Sequence, residues 1–298
     1  MRALVTGSAG FVGRHMVAEL QRRGYTVAEY DILIGRNALD VFKYNPHRYD
    51  LVVHAAASAP HRAAIDGEAE HFARNVHLDS AMFDWAVRTG QGRVLYLSSS
   101  AAYPVDLQDG GPVRRLSELE DLDLDGHVPV DDGWYQMTPD SNYGWTKLIG
   151  ERLAAAARRK GLPVTVVRPF SGYGEDQTED FPFRALVERA RRREDPFTIW
   201  GDGRQVRDWV HIDDVVGGAL AVVESGTEDP VNLCTGIGTS MAELAAMACE
   251  TVGYRPRFEF LTDKPAGVAY RVGDPARFHQ YYKPTVTLAE GVARALKG

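Results

Sequence analysis

The chain has 298 residues, of which 44% are hydrophobic and 25% are charged, so it can bury a large core and suits about two domains. Its formal net charge of −7 argues against nucleic acid as a general partner. No apolar run approaches the roughly 18 residues that a membrane-spanning helix needs, so no membrane partner is expected. The two cysteines are too few for a disulfide framework and lack the spacing of a zinc site. The N-terminal residues begin a strand pattern directly, so no signal peptide is expected. These features predict a cytoplasmic protein.

A glycine-rich turn between a strand pattern and a helix pattern opens the chain. Residues 3–6 are predicted to form a buried strand and residues 12–23 a helix. Gly7 and Gly10 lie between these two elements, and Gly13 lies in the first turn of the helix. Such glycines let backbone N–H groups approach a phosphate, which the helix N-terminus also attracts. The spacing differs from the Gly-x-Gly-x-x-Gly fingerprint, so the strand and helix context carries the prediction of a dinucleotide site.

The next predicted strand, residues 26–30, ends in an acidic residue. Asp31 follows the glycines by about twenty residues, where an acid accepts hydrogen bonds from adenosine ribose hydroxyls and repels a 2′-phosphate. The sequence therefore predicts NAD rather than NADP as the cofactor, although Arg36 nearby weakens the charge argument.

Strand and helix patterns alternate through the first two thirds of the chain, as in parallel βαβ units. The pattern predicts an α/β fold: a Rossmann-type doubly wound parallel sheet over residues 1–168, and a smaller C-terminal α/β substrate lobe over 169–298 with some segments returning to the first domain. Residues 38–49 are too short for a full crossover helix, and residues 104–142 are irregular. The predicted strands are 51–55, 93–97 and 164–167, and the predicted helices are 72–88, 143–160, 185–193, 241–252 and 287–297.

A phenol and an ammonium lie one helical turn apart at Tyr143 and Lys147. A cation beside a phenol favours the phenolate, which can act as a general base toward an alcohol. Ser99 lies where a predicted parallel strand ends, the edge at which open α/β sheets bind ligands. Together these residues predict an alcohol-oxidising centre. The scattered histidines lack metal-ligand spacing, so no metal is expected.

These motifs resemble those of the extended short-chain dehydrogenase/reductases, in particular the NAD-dependent nucleotide-sugar epimerases and dehydratases, over nearly the whole chain. The resemblance implies a catalytic set of Ser99, Tyr143 and Lys147, with NAD as the cofactor. It implies homodimerisation through the helices predicted at 72–88 and 143–160. Further cofactor contacts are implied, in addition to Tyr143 and Lys147, at Gly7, Gly10, Phe11, Val12, Gly13, Asp31, Asp40, Val41, Ala55, Ala56 and Asn75.

The C-terminal third resembles the part of these enzymes that binds a nucleotide-diphosphate sugar. Residues 168–174 are similar to the family's Arg-Pro-x-Asn-x-Tyr-Gly, with Ser171 where an asparagine usually contacts the substrate. The resemblance implies that Arg207 is the main diphosphate ligand, that Arg271 is a second one, and that Ser100 borders the sugar. Arginine suits this task because its planar fork pairs with phosphate oxygens.

The residues that follow the catalytic serine narrow the reaction implied by the resemblance. The 4,6-dehydratases of this family carry an Asp-Glu pair where this chain has Ser100 and Ala101. Enzymes resembling GDP-fucose synthase use a cysteine and a histidine where Ser100 and Asp176 fall. A 4-epimerase is therefore favoured, with a 4-ketoreductase or a dehydratase as alternatives. A non-catalytic dinucleotide sensor or structural protein is a remote alternative, because such proteins commonly lack the Tyr/Lys pair. The base and the sugar remain open.

Overall fold

The computed structural model describes residues 1–58, 69–109, 113–118 and 138–297. Within these ranges, no helix is both long enough and apolar enough to cross a bilayer. In chain order the elements are β1 (Arg2–Thr6), α1 (Phe11–Arg22), β2 (Thr26–Tyr30), α2 (Ala38–Tyr44), β3 (Leu51–His54), α3 (Ala69–Thr89), β4 (Arg93–Leu97), α4 (Asn142–Arg158), β5 (Val164–Pro169), β6 (Ser171–Tyr173), α5 (Pro182–Arg191), β7 (Phe197–Trp200), β8 (Val206–His211), α6 (Ile212–Ser225), β9 (Val231–Leu233), β10 (Gly238–Ser240), α7 (Met241–Thr251), β11 (Phe258–Leu261), β12 (Tyr270–Arg271) and α8 (Leu288–Lys297).

The larger sheet has six parallel strands in the order β2-β1-β3-β4-β5-β9. Its central strands are apolar runs because both faces are covered by helices. On one face Val53 packs in a cluster with Met16 of α1 and Val216 of α6, and on the other Val52 packs with residues of α3 and α4 such as Met82. The predicted Rossmann-type α/β fold is confirmed.

A second sheet is centred on β8. Strand β8 pairs with β10 in antiparallel fashion and with β6 and β12 in parallel. Strands β7 and β11 form a separate parallel pair. Helices α5, α7 and α8 share an apolar cluster with these strands, in which Phe183, Leu244 and Val292 are fully buried.

Two segments of the C-terminal third return to the larger sheet. Strand β9 extends that sheet beside β5, and α6 packs against α1. Helix α6 was not among the helices expected from sequence. Most of the irregular stretch at residues 104–142 lies outside the described residues. Its described parts contact the second sheet, since the Leu116 backbone N–H donates to the Val272 carbonyl at 2.8 Å.

Candidate active site

The glycine-rich turn leaves no space for side chains at two of its positions. Gly7 has a φ of +71°, and a Cβ there would lie 2.6 Å from the backbone nitrogen of Ala56. A Cβ at Gly13 would overlap the carbonyl of Gly7. The backbone is therefore open to a ligand at the start of α1, where N–H groups and the helix dipole favour an anion. Ser8 adds a hydroxyl that is 2% exposed and has no hydrogen-bond partner among the described residues. The turn thus fits the pyrophosphate of a dinucleotide.

Asp31 connects the glycine turn to the end of β2. Its Oδ2 accepts the backbone N–H of Ala9 at 3.1 Å, and its Oδ1 accepts that of Leu33 at 2.8 Å. Each carboxylate oxygen retains acceptor capacity for a ribose hydroxyl. The structure therefore places Asp31, the residue predicted to bind the ribose, against the glycine-rich turn.

The other expected cofactor residues lie around this turn. Phe11 and Val12 are half-buried in the first turn of α1, and Phe11 contacts Gly174 of the second lobe. Asp40 is exposed in the first turn of α2, whereas the side chain of Val41 lies in the core.

Asn75 fixes the chain just after β3. Its side-chain oxygen accepts the Ser58 N–H at 2.6 Å, and its amide donates to the Ser58 carbonyl at 3.0 Å. Ala55 and Ala56, which precede Ser58, lie against Gly7. Asn75 thus acts on the cofactor cleft through the backbone segment that it holds.

The three predicted catalytic residues come from two elements that pack on each other. Ser99 lies two residues after β4, and its Oγ accepts the Ala101 N–H at 3.1 Å. Tyr143 lies in the first turn of α4, whose Gly144 packs so closely on the Ala101 carbonyl that a Cβ would overlap it. Lys147, one turn further along α4, donates to the Leu97 carbonyl at 2.8 Å, and its Nζ lies 5.5 Å from the centroid of the Tyr143 ring. The structure therefore brings the phenol, the ammonium and the serine turn together.

A buried polar chain that sequence reasoning missed lies beneath this set. The Lys147 ammonium is also 5.3 Å from the centroid of the Tyr96 ring. The Tyr96 hydroxyl donates to Asp79 Oδ2 at 2.5 Å, and Asp79 Oδ1 lies 3.1 Å from His54 Nε2. His54 Nδ1 in turn lies 2.8 Å from the hydroxyl of Thr6, just before the glycine turn. Burial and the Asp79 charge raise the pKa of Tyr96, which keeps its hydroxyl protonated as the donor.

A second buried network supports the end of β4. Arg168, fully buried, donates through Nε and Nη2 to the two oxygens of Glu151 at 2.9 and 2.7 Å, and through Nη1 to the Tyr103 hydroxyl at 3.0 Å. Ser98, the neighbour of Ser99, donates to Glu151. Burial opposes the guanidinium charge, but Glu151 and Tyr103 outweigh it and keep the pKa of Arg168 above its usual value. Arg168 is thus committed to the fold and does not belong to the diphosphate site.

The turn after Ser99 carries no carboxylate. Ser100 and Ala101 are buried there, at 5% and 6% exposure. Asp176 is held elsewhere: Arg14 Nε donates to it at 2.8 Å and His15 lies at 3.0 Å. Burial raises the pKa of Asp176, but the hydrogen bonds from Arg14 and His15 outweigh burial and keep that pKa below its usual value. Asp176 is therefore an ionised partner of α1.

Three of the four predicted substrate residues share one face of the second sheet, and the fourth, Ser100, lies in the turn after β4. Arg271 pairs in register with Arg207, and Ser171 pairs with Trp209, two residues further along β8. Alternate residues of a strand point to the same face, so the two arginines and the serine line a common surface. Arg207 and Arg271 are only 7% and 8% exposed. Two neighbouring guanidiniums at low exposure suit a phosphate-bearing ligand.

The described part of the chain contains no group of three or more His, Cys, Asp or Glu side chains placed to hold a metal ion. Of the histidines in the sequence, His61 and His127 lie outside the described residues.

Comparison with known proteins agrees with this geometry. A family model described as the NAD dependent epimerase/dehydratase family matches residues 3–234. The chain is 27% identical over 305 residues to a dTDP-4-dehydro-6-deoxy-D-allose reductase from Streptomyces sp, with 93% of this chain and 89% of the reductase covered.

Solved structures match over the full chain. The UDP-glucose 4-epimerase of Thermotoga maritima, solved with UDP-glucose, has a TM-score of 0.80 and 26% identity, with 100% of this chain and 98% of the epimerase covered. MoeE5 in complex with UDP-glucuronic acid and NAD has a TM-score of 0.80 and 28% identity, with the same coverage.

Proposed function

The chain belongs to the NAD-dependent epimerase/dehydratase family and is an NAD-dependent enzyme, and we propose that it is a nucleotide-sugar 4-epimerase. One observation carries the choice of reaction. The packed set of Ser99, Tyr143 and Lys147 can oxidise and reduce an alcohol, and the turn after Ser99 supplies no carboxylate for elimination. Reversible hydride transfer at one carbon needs such a set and a bound NAD, but no further acid or base.

Each residue has a role in this scheme. When bound, NAD supplies the acceptor that takes the hydride and later returns it. The Ser99 hydroxyl hydrogen-bonds the reacting sugar oxygen, and the Tyr143 phenolate accepts the proton of the sugar C4 hydroxyl as the C4–H bond breaks. Lys147, held by the Leu97 carbonyl, stabilises that phenolate. Once the keto sugar has turned its other face toward the nicotinamide site, Tyr143 would give the proton back to the C4 oxygen, which completes the epimerisation.

The nucleotide sugar is proposed to bind mainly to residues 169–298. Arg207 and Arg271 hold the diphosphate, and Ser171 and Ser100 border the sugar. Asp208 is not the counterion of Arg207, since its carboxylate accepts hydrogen bonds from Thr235, Gly236 and Gly273. Arg207 and Arg271 place two guanidiniums on the surface that they share with Ser171.

A nucleotide-sugar 4-ketoreductase is the second candidate, favoured by the 27% identity to the Streptomyces reductase. Ketone reduction would use the same three residues, but it consumes a reduced cofactor at each turnover. Purified protein that carries NAD and converts a nucleotide sugar without added cofactor supports the epimerase. A requirement for NADH or NADPH and a 4-keto sugar supports the reductase.

Tyr143→Phe tests the catalytic assignment in either case. We expect turnover to fall by about 10²–10⁴-fold because the general base is lost, while NAD still binds. Tyr44→Phe, at a tyrosine that is 68% exposed, is the matched control and retains activity. Assays with UDP-, dTDP-, GDP- and CDP-sugars identify the base, and each sugar that binds raises the thermal midpoint. Unchanged turnover in Tyr143→Phe would contradict the scheme, and no turnover by the unmodified chain would favour a non-catalytic role.

We also propose that the enzyme is a cytoplasmic homodimer that pairs through α3 and α4. Both cysteines are unpaired and buried, which suits a reducing compartment. Trp145 on α4 is 38% exposed, so its ring is available for contact with a partner. Light scattering should give about twice the chain mass, and Trp145→Glu should lower it.

A further inference from the structure

An ion pair joins the proposed diphosphate site to the catalytic helix. Arg271 Nη2 lies 2.5 Å from Asp140 Oδ2, and the two side chains are only 10% and 4% exposed. Arg271 Nε donates to Gln108 Oε1, also at 2.5 Å. Arg271 therefore contacts residues near both ends of the irregular stretch 104–142, and it stands beside Arg207 on the neighbouring strand.

Asp140 lies immediately before α4. Its Oδ1 accepts a hydrogen bond from the Ser141 hydroxyl at 3.1 Å, and the same hydroxyl oxygen caps α4 by accepting the Gly144 N–H at 3.2 Å. Tyr143 lies within this capped turn. A change in the position of Asp140 is thus passed to Tyr143 through a single cap residue.

The capped turn has little freedom to move independently. A Cβ at Gly144 would overlap the Ala101 carbonyl and would lie 2.7 Å from Cβ of Pro139. Ala101 also donates its N–H to Ser99. The start of α4 and the turn after Ser99 therefore fit closely, and the position of Tyr143 relative to Ser99 depends on how α4 is anchored.

Affinity for phosphate alone does not explain why a carboxylate, Asp140, is paired with Arg271. A carboxylate beside two arginines reduces the positive charge of the site and weakens the attraction for a diphosphate. A guanidinium carries five N–H donors, so Arg271 can hold Gln108, Asp140 and a phosphate oxygen at the same time. What Asp140 adds is a charged connection between that guanidinium and the first turn of α4.

We propose that Arg271 bridges the substrate diphosphate to Asp140, and that Asp140 is a positioning residue that aligns Tyr143 when the diphosphate is bound. The inference rests on the proposed function. Binding energy from the non-reacting diphosphate is then used to align the groups at the reacting carbon. Loss of the Asp140 connection should therefore lower kcat rather than raise KM.

Asp140→Asn tests this coupling because it removes the charge and keeps the shape. With UDP-glucose and dTDP-glucose as probes, we expect kcat to fall about 10–100-fold, KM to stay within about threefold, and the bound NAD content to be unchanged. Asp109→Asn is the matched control, because Asp109 is another carboxylate of the same stretch and accepts the Ala269 N–H at 2.5 Å beside β12, away from the cap of α4. It should retain the kcat of the unmodified chain.

A second pair of variants separates coupling from simple loss of folding. Arg271→Lys alone should lower kcat as well as raise KM, and adding Asp140→Asn to it should lower kcat little further, because both act through one link. If Asp140→Asn does not fold, Asp140→Glu keeps the charge on a longer arm and should lower kcat at an unchanged melting temperature.

The outcomes distinguish the two proposals. An active unmodified chain whose kcat is unaffected by Asp140→Asn, or affected only through KM, overturns the coupling alone. Multiplicative losses of kcat in the double variant also overturn it. An unmodified chain that turns over none of the nucleotide sugars overturns the proposed function and the coupling with it.

Discussion

Replacing Arg168 with methionine is expected to destabilise the folded protein by about 3–5 kcal/mol, because it leaves a buried carboxylate without its counterion. Arg168 makes two charge-assisted hydrogen bonds to Glu151, at 2.9 and 2.7 Å, and both side chains are 0% exposed. After the substitution, the Glu151 carboxylate loses both of these bonds and keeps the hydrogen bond from the Ser98 hydroxyl. Each lost charge-assisted bond contributes about 1.5–3 kcal/mol, which agrees with the total.

The assay is denaturant unfolding followed by tryptophan fluorescence, with the free energy of unfolding compared between variants. Arg192→Met is the control, because Arg192 pairs with Glu179 at the surface, where the side chains are 48% and 51% exposed. Such an exposed pair should change stability by less than about 1 kcal/mol.

A compensating variant checks the cause. Adding Glu151→Leu to Arg168→Met removes the stranded charge, so the double variant should be more stable than Arg168→Met alone. A loss below about 1 kcal/mol in the single variant, or a double variant that is less stable than the single, would refute the reasoning.

Three further predictions concern the cofactor turn and a buried carboxyl. Gly13→Ala should abolish NAD retention on purification because a Cβ there overlaps the backbone, whereas Gly10→Ala, whose Cβ would lie 3.2 Å from a backbone oxygen, should retain most of it; equal losses would contradict this. Asp31→Asn should improve NADP affinity relative to NAD by about tenfold, as measured by titration calorimetry, because the charge that repels a 2′-phosphate is lost; an unchanged ratio would contradict this. Burial raises the pKa of Glu118, although a backbone hydrogen bond from Asn232 opposes the shift. The folded state therefore binds this proton more tightly than the unfolded state, and the stability that Glu118 contributes is lost as pH rises from about 4.3 through the folded-state pKa. Glu118→Gln should lose less stability than the unmodified chain over that range in denaturant unfolding at stepped pH, and parallel pH profiles would contradict the assignment.

The parts of the fold that sequence predicts are those with a local signal. Strands β2 and β4 begin and end at the predicted residues because an apolar run is bounded on both sides by turn or polar residues. Ser99 and Tyr143 could be found because one follows such a strand and the other stands four residues before Lys147 on a helix. Each of these signals spans fewer than about ten residues.

Helix α6 lacked such a signal for a physical reason. It is apolar along most of its length because it packs against α1, β5 and β9, and Gly217 and Gly218 lie in its middle, where glycine disfavours a helix. In the folded chain these glycines make room for the rings of Tyr282 and Phe278. The property that hid the helix from sequence analysis is therefore a consequence of its packing.

The buried polar contacts could not be predicted because their partners are distant in sequence. Arg271 and Asp140 are 131 residues apart, and Tyr103 and Asn232 are 129 apart. A charged residue in a sequence favours solvent exposure, and only the tertiary fold supplies the partner that makes burial tolerable.

The same long-range contacts bear on where substrate selectivity arises. Two residues near the ends of the irregular stretch at residues 104–142, Gln108 and Asp140, both contact Arg271. Glu118, in between, accepts the backbone N–H of Asn232 in β9 at 2.7 Å. Any movement of Gln108 or Asp140 would therefore also disturb Arg271, a residue that we assign to the diphosphate. We therefore expect recognition of the sugar and binding of the diphosphate to depend on each other in this chain. Substitutions within the stretch should change kcat for all nucleotide sugars as well as the preference among them.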